Sequence, residues 1–448
     1  MVKKEKDSEL MEKIVSLCKR RGFVYQGSEI YGGLAGTWDY GPYGVALKNN
    51  VKNLWWKKFV TDREDMYGVD AAILMNQNVW KATGHVGGFS DPLVACDKCK
   101  KRFRADQVAG YDLKEKKGKC PECDKGNLSE PKQFNMMFKT HAGALEDDTS
   151  VSYLRPETAQ GMFVNYKNII DSFHPKLPFG LAQIGKAFRN EIAPRDFIFR
   201  TREFEQMEIE YLIRPEGWQD TFEHFRSEMQ NWTKEIGLNS THVHELEVPD
   251  ADRAFYSKRT IDFEFDFPFG KSELYGLAYR TDYDLGRHSK ESGTDLIYLD
   301  EEKKEKLTPH CIEPSFGVDR TVLAILCDAY TEDKMNDEVR AYLKFTPKMA
   351  PVKVAVFPLL KNKTQLVEKA REIYKNLKTE FGGVEFDDNG NVGKRYRRQD
   401  EIGTPYCVTV DFDTVEKDQM VTVRDRDTGE QERVEVKELV AYLKSKLS

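Results

Sequence analysis

Arginine and carboxylate side chains occur together in three separated segments of the chain. The first is FRNE at residues 188–191, and the second, after a short loop, is FRTREF at residues 199–204. The third, EPSFGVDR at residues 313–320, leads into the apolar run TVLAIL. A guanidinium forks two hydrogen bonds onto a phosphate, and a helix start favours an anion, so arginines converging from such segments suit a triphosphate. Any one of these residues alone would more often be a solvated group or half of an ion pair.

Four of the eight cysteines form two CxxC pairs, Cys96 with Cys99 and Cys120 with Cys123. This spacing is typical of tetrahedral thiolate coordination, in which each short turn places two sulfurs on one ion. It predicts a structural Zn²⁺ site, because four sulfurs leave no open position for a catalytic water. The alternative is a site without metal that keeps four reduced thiols.

A basic run, KRYRR, lies near the C-terminus and contains Lys394, Arg395, Arg397 and Arg398. The non-functional interpretation is a solvated helix face. The functional interpretation is a nucleic-acid contact, because Tyr396 within the run adds an aromatic surface on which unpaired bases stack.

The elements that must position these residues follow from hydrophobic periodicity. Alternating residues predict strands within 134–213 and again within 261–281, whereas residues 286–308 are a polar segment. Helical spacing predicts helices at 8–21, 46–60, 217–236, 317–330, 364–379 and 436–447.

Composition shifts divide the chain. Lys, Asp, Cys and Gly dominate residues 92–130, which predicts a small inserted module around the paired cysteines. The two prolines of TPKMAP, at residues 346–351, precede a small α/β pattern. We therefore predict a first domain at 1–345 and a second at 346–448.

The chain has 448 residues, of which 69 are Lys or Arg and 75 are Asp or Glu, for a net charge of −6. A mildly acidic balance argues against an overall basic coat but not against a local nucleic-acid patch. No apolar run is long enough for a membrane span, and the charged N-terminus lacks the apolar stretch of a signal peptide. We expect a cytoplasmic protein with no membrane contact.

The arginine segments resemble motifs 2 and 3 of class II aminoacyl-tRNA synthetases, and the predicted helix at 46–60 resembles motif 1, the dimer helix. More narrowly, the chain resembles the homodimeric glycyl-tRNA synthetase family. The matching segments are YGGLAGTWDYGPYG, GGFSDPLVACDKC, RPETAQGMFVNY, FRNEIAPRDFIFRTREFEQMEIE, ELYGLAYRTDYDL and EPSFGVDR. VGKRYRRQDEIGTPYCVTVD resembles the anticodon-binding domain of the prolyl, threonyl and histidyl enzymes.

The resemblance implies an α+β fold, with a class II catalytic domain built on an antiparallel β-sheet flanked by helices. A zinc-knuckle-like insertion and a C-terminal α/β anticodon-binding domain complete it. The implied activity is a glycine–tRNA ligase that forms glycyl-adenylate with ATP and Mg²⁺ and transfers glycine to the 3′ end of tRNA(Gly). The implied assembly is a homodimer with a structural Zn²⁺ in each chain.

The resemblance also implies which residues bind ATP. Arg189 would hold the α-phosphate, and Arg200 with Arg320 would hold the γ-phosphate; with Glu191, these arginines form the expected catalytic set. Phe204 would stack on the adenine beside Glu191. The remaining residues expected at the ATP site are Asn190, Phe199, Glu273, Leu274 and Gly317.

The glycine pocket implied by the resemblance is built mainly from carboxylates. Glu157, Glu208 and Ser315 would receive the ammonium group, and Glu313 matches a position associated with a magnesium-bound phosphate and the amino acid. Arg104 matches an arginine near the substrate. Phe204 and Gly317 are expected to border this pocket as well.

These assignments agree with the chemistry of amino-acid activation. Attack of a carboxylate on the α-phosphorus gathers negative charge on phosphate oxygens, which arginines and Mg²⁺ stabilise, so no general base is required. A tight pocket rejects larger amino acids by volume, and glycine is the smallest, so no editing domain is needed.

Two other functions remain open at this stage. One is an inactive relative that only binds nucleic acid, although such relatives usually lose the arginines that Arg189, Arg200 and Arg320 represent. The other is a sister class II synthetase for another small amino acid, such as proline or threonine, which the Glu157, Glu208 and Ser315 set disfavours.

Overall fold

The computed structural model describes residues 2–254, 256–335 and 338–447. Short non-α turns occur at Glu29–Tyr31, Lys57–Thr61 and Ala105–Gln107. The α-helices, in chain order, are α1 Val2–Arg21, α2 Pro42–Trp56, α3 Gln77–Ala82, α4 His85–Gly88, α5 Ala159–Phe173, α6 Trp218–Glu235, α7 Tyr283–Ser292, α8 Val318–Ala329, α9 Thr364–Phe381, α10 Val392–Ile402, α11 Phe412–Glu416 and α12 Leu439–Leu447.

The strands fall into several sheets, of which two are large. In chain order they are β1 Val24–Gln26, β2 Trp38–Tyr40, β3 Met66–Gly68, β4 Leu74–Met75, β5 Ser90–Ala95, β6 Arg102–Arg104, β7 Lys132–Asn135, β8 Lys139–His141, β9 Val151–Leu154, β10 Phe179–Phe188, β11 Glu203–Ile213, β12 Val243–Glu247, β13 Arg259–Phe267, β14 Gly270–Thr281, β15 Tyr298–Asp300, β16 Glu305–Leu307, β17 His310–Gly317, β18 Tyr330–Met335, β19 Glu338–Leu343, β20 Val354–Pro358, β21 Val384–Phe386, β22 Tyr406–Val410, β23 Met420–Asp425 and β24 Gln431–Glu435.

The central sheet has seven strands in the order β12-β13-β14-β17-β11-β10-β3. All neighbours pair antiparallel except the edge pair of β10 and β3. Helices α2, α6 and α8 cover the sheet, and the aromatic residues Trp55, Phe59, Trp232 and Phe316 contact one another in its core. The predicted antiparallel sheet flanked by helices is confirmed.

A separate three-stranded sheet, in the order β6-β5-β7, forms the inserted module. Strand β5 is the centre, so one end of the module joins α4 and the other returns to the main body through β7. Its small core consists of five buried residues, Val94, Cys96, Ala105, Cys120 and Leu128.

The C-terminal part forms a five-stranded sheet in the order β21-β20-β22-β23-β24. The first three strands are parallel, and β22, β23 and β24 pair antiparallel. The parallel strand β20 is buried along its whole length, as a strand covered on both faces must be. Helices α9 and α12 bury their apolar faces against this sheet in a core of their own.

Buried ion pairs join the C-terminal part to the rest of the chain. Asp400 on α10 accepts hydrogen bonds from Arg340 on β19 and from Arg424 on β23, at 3.0 and 2.8 Å. Arg340 also binds Asp333 at 2.7 Å. Removing one partner of such a buried network leaves an uncompensated charge, so these contacts hold the two parts in one relative position.

The predicted elements differ from the observed ones at several places, and helix α5 lies within the stretch 134–213 where only strands were predicted. Helix α1 begins at Val2, ahead of the predicted start, and residues 286–308, predicted as a polar segment, contain most of α7 and the β15–β16 hairpin. Helix α7 is mostly polar because few of its residues pack inward, which weakened the periodic signal. No helix among the described residues is long and apolar enough to cross a membrane.

Candidate active site

One cavity of about 430 Å³ opens on the central sheet. It brings together every residue that was expected to bind ATP or glycine except Asn190, which is absent from its lining and whose backbone N–H donates to Met136 O at 2.7 Å. The expected residues that line it are Arg104, Glu157, Arg189, Glu191, Phe199, Arg200, Phe204, Glu208, Glu273, Leu274, Glu313, Ser315, Gly317 and Arg320.

Strand register builds the floor of the cavity. Glu208 on β11 lies opposite Ser315 on β17, which in turn lies opposite Gly276 on β14. Neighbouring side chains on one face of a sheet lie about 5 Å apart, so the three positions form a continuous row. A side chain at Gly276 would project into open space, which shows that this glycine leaves volume inside the cavity.

Glu208 is buried and fully engaged. Its carboxylate accepts hydrogen bonds from Thr158 Oγ1 at 2.5 Å, Ser315 Oγ at 2.8 Å and Gln206 Nε2 at 3.1 Å. Burial, with the nearby negative charge of Glu157, raises the pKa of Glu208. The hydrogen bonds orient a carboxylate that lacks a cation of its own, which is the environment that a ligand ammonium group would complete.

Glu313 lies beside Glu208 and belongs to a group of three buried carboxyls, with Glu210 as the third. Ligand-type oxygens of the three lie within 4.8 Å of one another. Arg280 Nη1 donates to Glu313 Oε1 at 2.7 Å and also binds Asp284. Burial raises the pKa of Glu313 to about 8, even though Arg280 opposes the shift. Carboxyls this close resist ionising together even beside Arg280, so burial and mutual repulsion favour protonated forms until a further cation binds.

Glu157 faces His85 in the same part of the cavity. Its Oε2 lies 3.5 Å from His85 Nε2, and its Oε1 accepts from Gln160 Nε2 at 3.0 Å. Burial acts to raise the pKa of Glu157, but the neighbouring His85 and Arg280 outweigh it and the pKa lies below its ordinary value. Glu157 is therefore the ionised member of the carboxyl set.

A hydroxyl group holds the ring of His85. Thr83 Oγ1 lies 2.7 Å from His85 Nδ1 and 3.1 Å from Val79 O. With Nδ1 held in this way, the other ring nitrogen, Nε2, faces the Glu157 carboxylate.

The arginine end of the cavity lies at the ends of β10 and β11. The Arg189 guanidinium lies between the rings of Phe89 and Phe204, at 5.4 and 5.3 Å from their centroids, and its Nε donates to Pro156 O at 3.1 Å. The aromatic pair holds the side chain while leaving its terminal N–H groups available. Such a group can fork onto a phosphate without first breaking an ion pair.

Arg200 is held more loosely. Its Nη1 donates to Gln107 Oε1 at 3.2 Å, and its Nε lies 4.0 Å from Glu191 Oε2. That Glu191 oxygen is buried and accepts no hydrogen bond from any described residue. Burial lowers the pKa of Arg200, and the nearby Arg104 adds to the effect. An orphaned carboxylate oxygen beside an underpaired arginine fits a ligand with both an N–H donor and an anionic group.

Arg104 lies at this arginine end rather than among the glycine-pocket carboxylates. It pairs with Asp91 at 2.8 Å and with Asp106 at 2.7 Å, and both come from the inserted module. Its position beside Arg200 places it on the expected phosphate side of the cavity. The expectation that it contacts glycine is thus not favoured by the geometry.

Arg320, at the start of α8, completes the arginine end. Its guanidinium lies over the Phe199 ring at 4.5 Å and donates to Glu273 O at 3.0 Å. Arg320 lowers the pKa of Glu273, whereas burial, with the negative charges of Glu273 and Glu264, raises the pKa of Asp262 to about 7. The carboxylate oxygens of Glu273 and Asp262 are hard ligands of the kind that Mg²⁺ prefers.

A buried network fixes α8 behind these arginines. Asp319 accepts from Tyr40 Oη at 2.5 Å, from Lys48 Nζ at 3.1 Å and from the Glu205 N–H at 2.7 Å. It therefore ties α2, α8 and the start of β11 to one carboxylate. Arg320, the next residue along the chain, is positioned by that anchor.

The sequence analysis missed several residues of the site. Arg280 and Asp284 lie within the matching segment ELYGLAYRTDYDL, but no spacing marked them as a buried pair that reaches Glu313. His85 precedes the segment GGFSDPLVACDKC, and no motif or spacing singled it out. Only the tertiary contact with Glu157 distinguishes it.

The four cysteines converge as predicted from their spacing. Cys96 Sγ lies 3.7 Å from Cys123 Sγ, and Cys99 Sγ lies 3.6 Å from Cys120 Sγ. Two thiolates each about 2.3 Å from a tetrahedral ion lie about 3.8 Å apart, so the donor set fits Zn²⁺. Desolvation opposes ionisation, but N–H groups of Cys99 and Lys98 donate to Cys96 and lower its pKa, whereas the neighbouring thiols raise the pKa of Cys99 despite a Lys101 N–H. Thiolate is the form that binds the metal.

The basic run on α10 is only partly exposed, and one of its members requires a correction. Arg395 is buried and donates to three backbone carbonyls, those of Pro358, Asp388 and Gly390. Its guanidinium is consumed in holding the loop before α10, so the prediction that it contacts RNA is not supported by the structure.

The other members of the run differ in exposure. Lys394 is exposed, Arg397 is half-buried, and Arg398 binds Asp387 at 2.5 Å. Tyr396 packs against Phe357, and its hydroxyl shares a hydrogen bond with Thr409 Oγ1 at 2.6 Å. The ring is therefore not the free stacking surface that was expected.

Comparison with known proteins agrees with this architecture. Residues 138–329 match the class II core domain of the G, H, P, S and T tRNA synthetases, and residues 353–446 match an anticodon binding domain. Proteins named glycine–tRNA ligase align over nearly the full chain. The Clostridium acetobutylicum protein is 52% identical over 99% of this chain and 100% of its own length. The Caldanaerobacter subterraneus protein is 51% identical over 98% of each, and the Lachnospira eligens protein is 52% identical over 97% and 98%.

An antiparallel sheet with arginines at its strand ends, joined to an anticodon binding domain, is the architecture of the class II aminoacyl-tRNA synthetases. Within that class, the chain belongs to the glycine–tRNA ligase family. The resemblance recognised from the sequence motifs is confirmed.

Proposed function

We propose that this protein activates glycine with ATP and then transfers the glycyl group to the 3′ end of tRNA(Gly). One observation carries the proposal: a single cavity has a carboxylate end suited to an ammonium group and an arginine end suited to a triphosphate. The two ends share one sheet, so an amino acid and ATP bound there lie side by side. Holding both reactants in one geometry supplies much of the rate enhancement.

At the arginine end, we assign Arg189 to the α-phosphate and Arg200 with Arg320 to the γ-phosphate. The orphaned Oε2 of Glu191 supports its placement against the amino edge of adenine, since that atom needs a donor. The ring of Phe204 is available to stack on the base once the Arg189 guanidinium moves toward phosphate. Phe199, Glu273, Leu274 and Gly317 would line the remaining surface.

At the carboxylate end, we assign Glu157, Glu208 and Ser315 to the glycine ammonium group. Glu313 joins them rather than the phosphates, because Arg280 holds it beside Glu208. Gly276, which lies opposite Ser315, leaves open volume in the cavity. We assign the rejection of larger amino acids to the carboxylates gathered around the ammonium group, because exclusion by volume is the effective direction of discrimination by size.

The reaction needs charge stabilisation more than proton transfer. The glycine carboxylate attacks the α-phosphorus and pyrophosphate leaves. The 3′ hydroxyl of tRNA then attacks the carbonyl of the adenylate, and AMP leaves as its phosphate takes up the hydroxyl proton. Arg189 would stabilise charge on the α-phosphate oxygens during both steps. Mg²⁺, held by carboxylates such as Glu273 and Asp262, supplies further positive charge on the phosphates when bound.

The rest of the chain is assigned to binding and assembly. We propose a catalytic domain at residues 1–345, with a Zn²⁺-binding insertion at about 92–130, and an anticodon-binding domain at 346–448. Within that domain, Lys394, Arg397 and Arg398 are the members of the basic run that we assign to the tRNA anticodon. We further propose a cytoplasmic homodimer that pairs through the α2 region.

The test is glycine-dependent exchange of pyrophosphate into ATP, measured with a panel of amino acids. We expect exchange with glycine and none with alanine, serine, proline or threonine. Exchange with proline or threonine instead would identify a sister synthetase. Absence of exchange with every amino acid, together with tRNA binding, would identify a protein that only binds nucleic acid.

A further inference from the structure

The inserted module reaches into the active-site cavity. Its turn Ala105–Gln107 carries two polar side chains that bind cavity arginines. Asp106 accepts two hydrogen bonds from Arg104, at 2.7 and 3.2 Å, and Gln107 accepts one from Arg200 at 3.2 Å. The module therefore supplies one cavity arginine and holds a second, although it lies outside the central sheet.

The module is too small to hold that turn by apolar packing. Its core has only five buried residues, and two of them are Cys96 and Cys120. Ala105, the first residue of the turn, packs in the same core. Segments of this size generally need a metal or a disulfide to remain folded, because they bury too little apolar surface.

The four cysteines are arranged so that one metal ion can cross-link the module. Their sulfur spacings of 3.7 and 3.6 Å suit one tetrahedral ion. An added Cβ at Gly126 would collide with Cys96 Sγ, so the backbone is closely fitted around this sulfur. Metal affinity in such a site becomes folding free energy for the surrounding segment.

We infer that metal binding by Cys96, Cys99, Cys120 and Cys123 sets the affinity of the enzyme for ATP. It does so by ordering the Ala105–Gln107 turn, whose Asp106 and Gln107 hold Arg104 and Arg200 at the phosphate side of the cavity. Gln107 and Asp106 are thus positioning residues for the nucleotide. The turn of the cysteine module contacts the arginine end of the cavity, whereas the hydrogen bonds to Glu208 come from the central sheet and from Thr158 before α5.

The inference rests on the proposed function in one respect, the assignment of Arg200 to ATP phosphates. The experiment uses the full-length protein purified with Zn²⁺. Zinc content is measured by elemental analysis, the ATP Kd by calorimetry with Mg²⁺ present, and the order of residues 96–130 by hydrogen exchange. Cys120→Ser is expected to lose zinc, lose protection across the module and raise the ATP Kd by about tenfold or more.

Gln107→Ala separates the positioning contact from the metal itself. We expect normal zinc content and normal protection across the module, with an ATP Kd raised about fivefold, since one hydrogen bond to a charged group is lost. Glu122→Gln is the matched control, because Glu122 lies between the last two cysteines and pairs with Lys101 on the surface. It should leave both zinc content and ATP Kd unchanged.

The outcomes distinguish the inference from the proposed function. If Cys120→Ser loses zinc while its ATP Kd stays within about twofold of wild type, the inference is overturned and the proposed function stands. If Gln107→Ala binds ATP as wild type does, the positioning contact is refuted. If the wild-type holoenzyme binds no ATP, the proposed function fails and the inference fails with it.

Discussion

The two ends of the active-site cavity are built on opposite principles. At the carboxylate end, Glu208 accepts hydrogen bonds from Thr158, Ser315 and Gln206, and Arg280 binds both Glu313 and Asp284. Most polar atoms there have a partner inside the protein, although the buried Gln206 Oε1 and Glu210 Oε1 accept no hydrogen bond from any described residue. The carboxylates of this end are buried before any ligand arrives.

The arginine end is underpaired by comparison. Arg189 is held by two aromatic rings, Arg200 by one hydrogen bond to Gln107 and a carboxylate 4.0 Å away, and Glu191 keeps an orphaned oxygen. A preorganised pocket selects a small amino acid by shape and charge, whereas loosely held arginines can close on a long polyanion. We therefore expect the carboxylate end to select the amino acid and the arginine end to bind the triphosphate.

Removing an arginine should have the largest effect. Arg189→Ala is expected to lower kcat/KM in glycine-dependent pyrophosphate exchange by about 1,000-fold, because it deletes donors aimed at charge that develops in the transition state. The glycine KM should change little, since the carboxylate end is intact. Steady-state exchange kinetics at varied ATP and glycine measure both effects.

Lys186→Ala is the control for that variant. Lys186 lies on β10 close to Arg189 but does not line the cavity, and its half-buried side chain pairs with Glu203. Its loss should leave exchange within about twofold of wild type, since surface ion pairs contribute little. A large rise in the glycine KM of Arg189→Ala would contradict the division of the cavity into two ends.

Removing a carboxylate charge should have the next largest effect. Glu208→Gln keeps the size of the side chain and its hydrogen bonds to Thr158 or Ser315 but removes the charge that meets the ammonium group. We expect the glycine KM to rise about 100-fold, or about 2.7 kcal/mol, with the ATP KM unchanged. The same exchange assay measures it.

Glu210→Gln is the matched control, because Glu210 lies two residues along the same strand and does not line the cavity. Burial and the neighbouring Glu313 raise its pKa well above the ordinary value, so a neutral amide resembles its resting form. Its glycine KM should stay near that of wild type. If both substitutions raised the glycine KM equally, the charge of the cluster would matter for glycine binding but the position of the carboxylate would not.

The smallest expected effect is on pH dependence. The pKa of Glu313 is about 8 in the ligand-free protein, so the group is mostly neutral at pH 7. A bound ammonium group favours its ionised form, and binding therefore releases a proton. The glycine KM should fall as pH rises from 6 to 8, by at most about tenfold per unit, and level off above that range.

Calorimetry of glycine binding in buffers of different ionisation enthalpy measures the released proton directly. Glu313→Gln should abolish both the proton release and the slope of glycine KM against pH. The ATP Kd should show no slope from this group, because Glu313 lies at the other end of the cavity. A slope that survives in Glu313→Gln would assign the proton to Glu208 or Glu210.

Most of the fold was predictable because it follows local patterns. The alternation in β11 and the helical spacing of α8 and α9 are close to what the sequence indicates. Helix α7 was missed because its residues are mostly polar and its burial depends on neighbours far along the chain. Arg395 was assigned to RNA for a related reason: a long basic side chain carries no local sign of burial, and only the carbonyls around it consume its donors.

The sequence by itself determined the order of the arginine segments and the two cysteine pairs, because chain order and spacing are local properties. Glu157, Glu208 and Ser315 were pointed to by the resemblance to the family. The tertiary structure alone decided which charges have partners. It placed Arg280 against Glu313, His85 against Glu157 and the cysteine module against Arg200. The pKa of each buried group depends on neighbours that are distant in sequence. The protonation of the pocket and the contact between the inserted module and Arg200 therefore exist only in the folded chain.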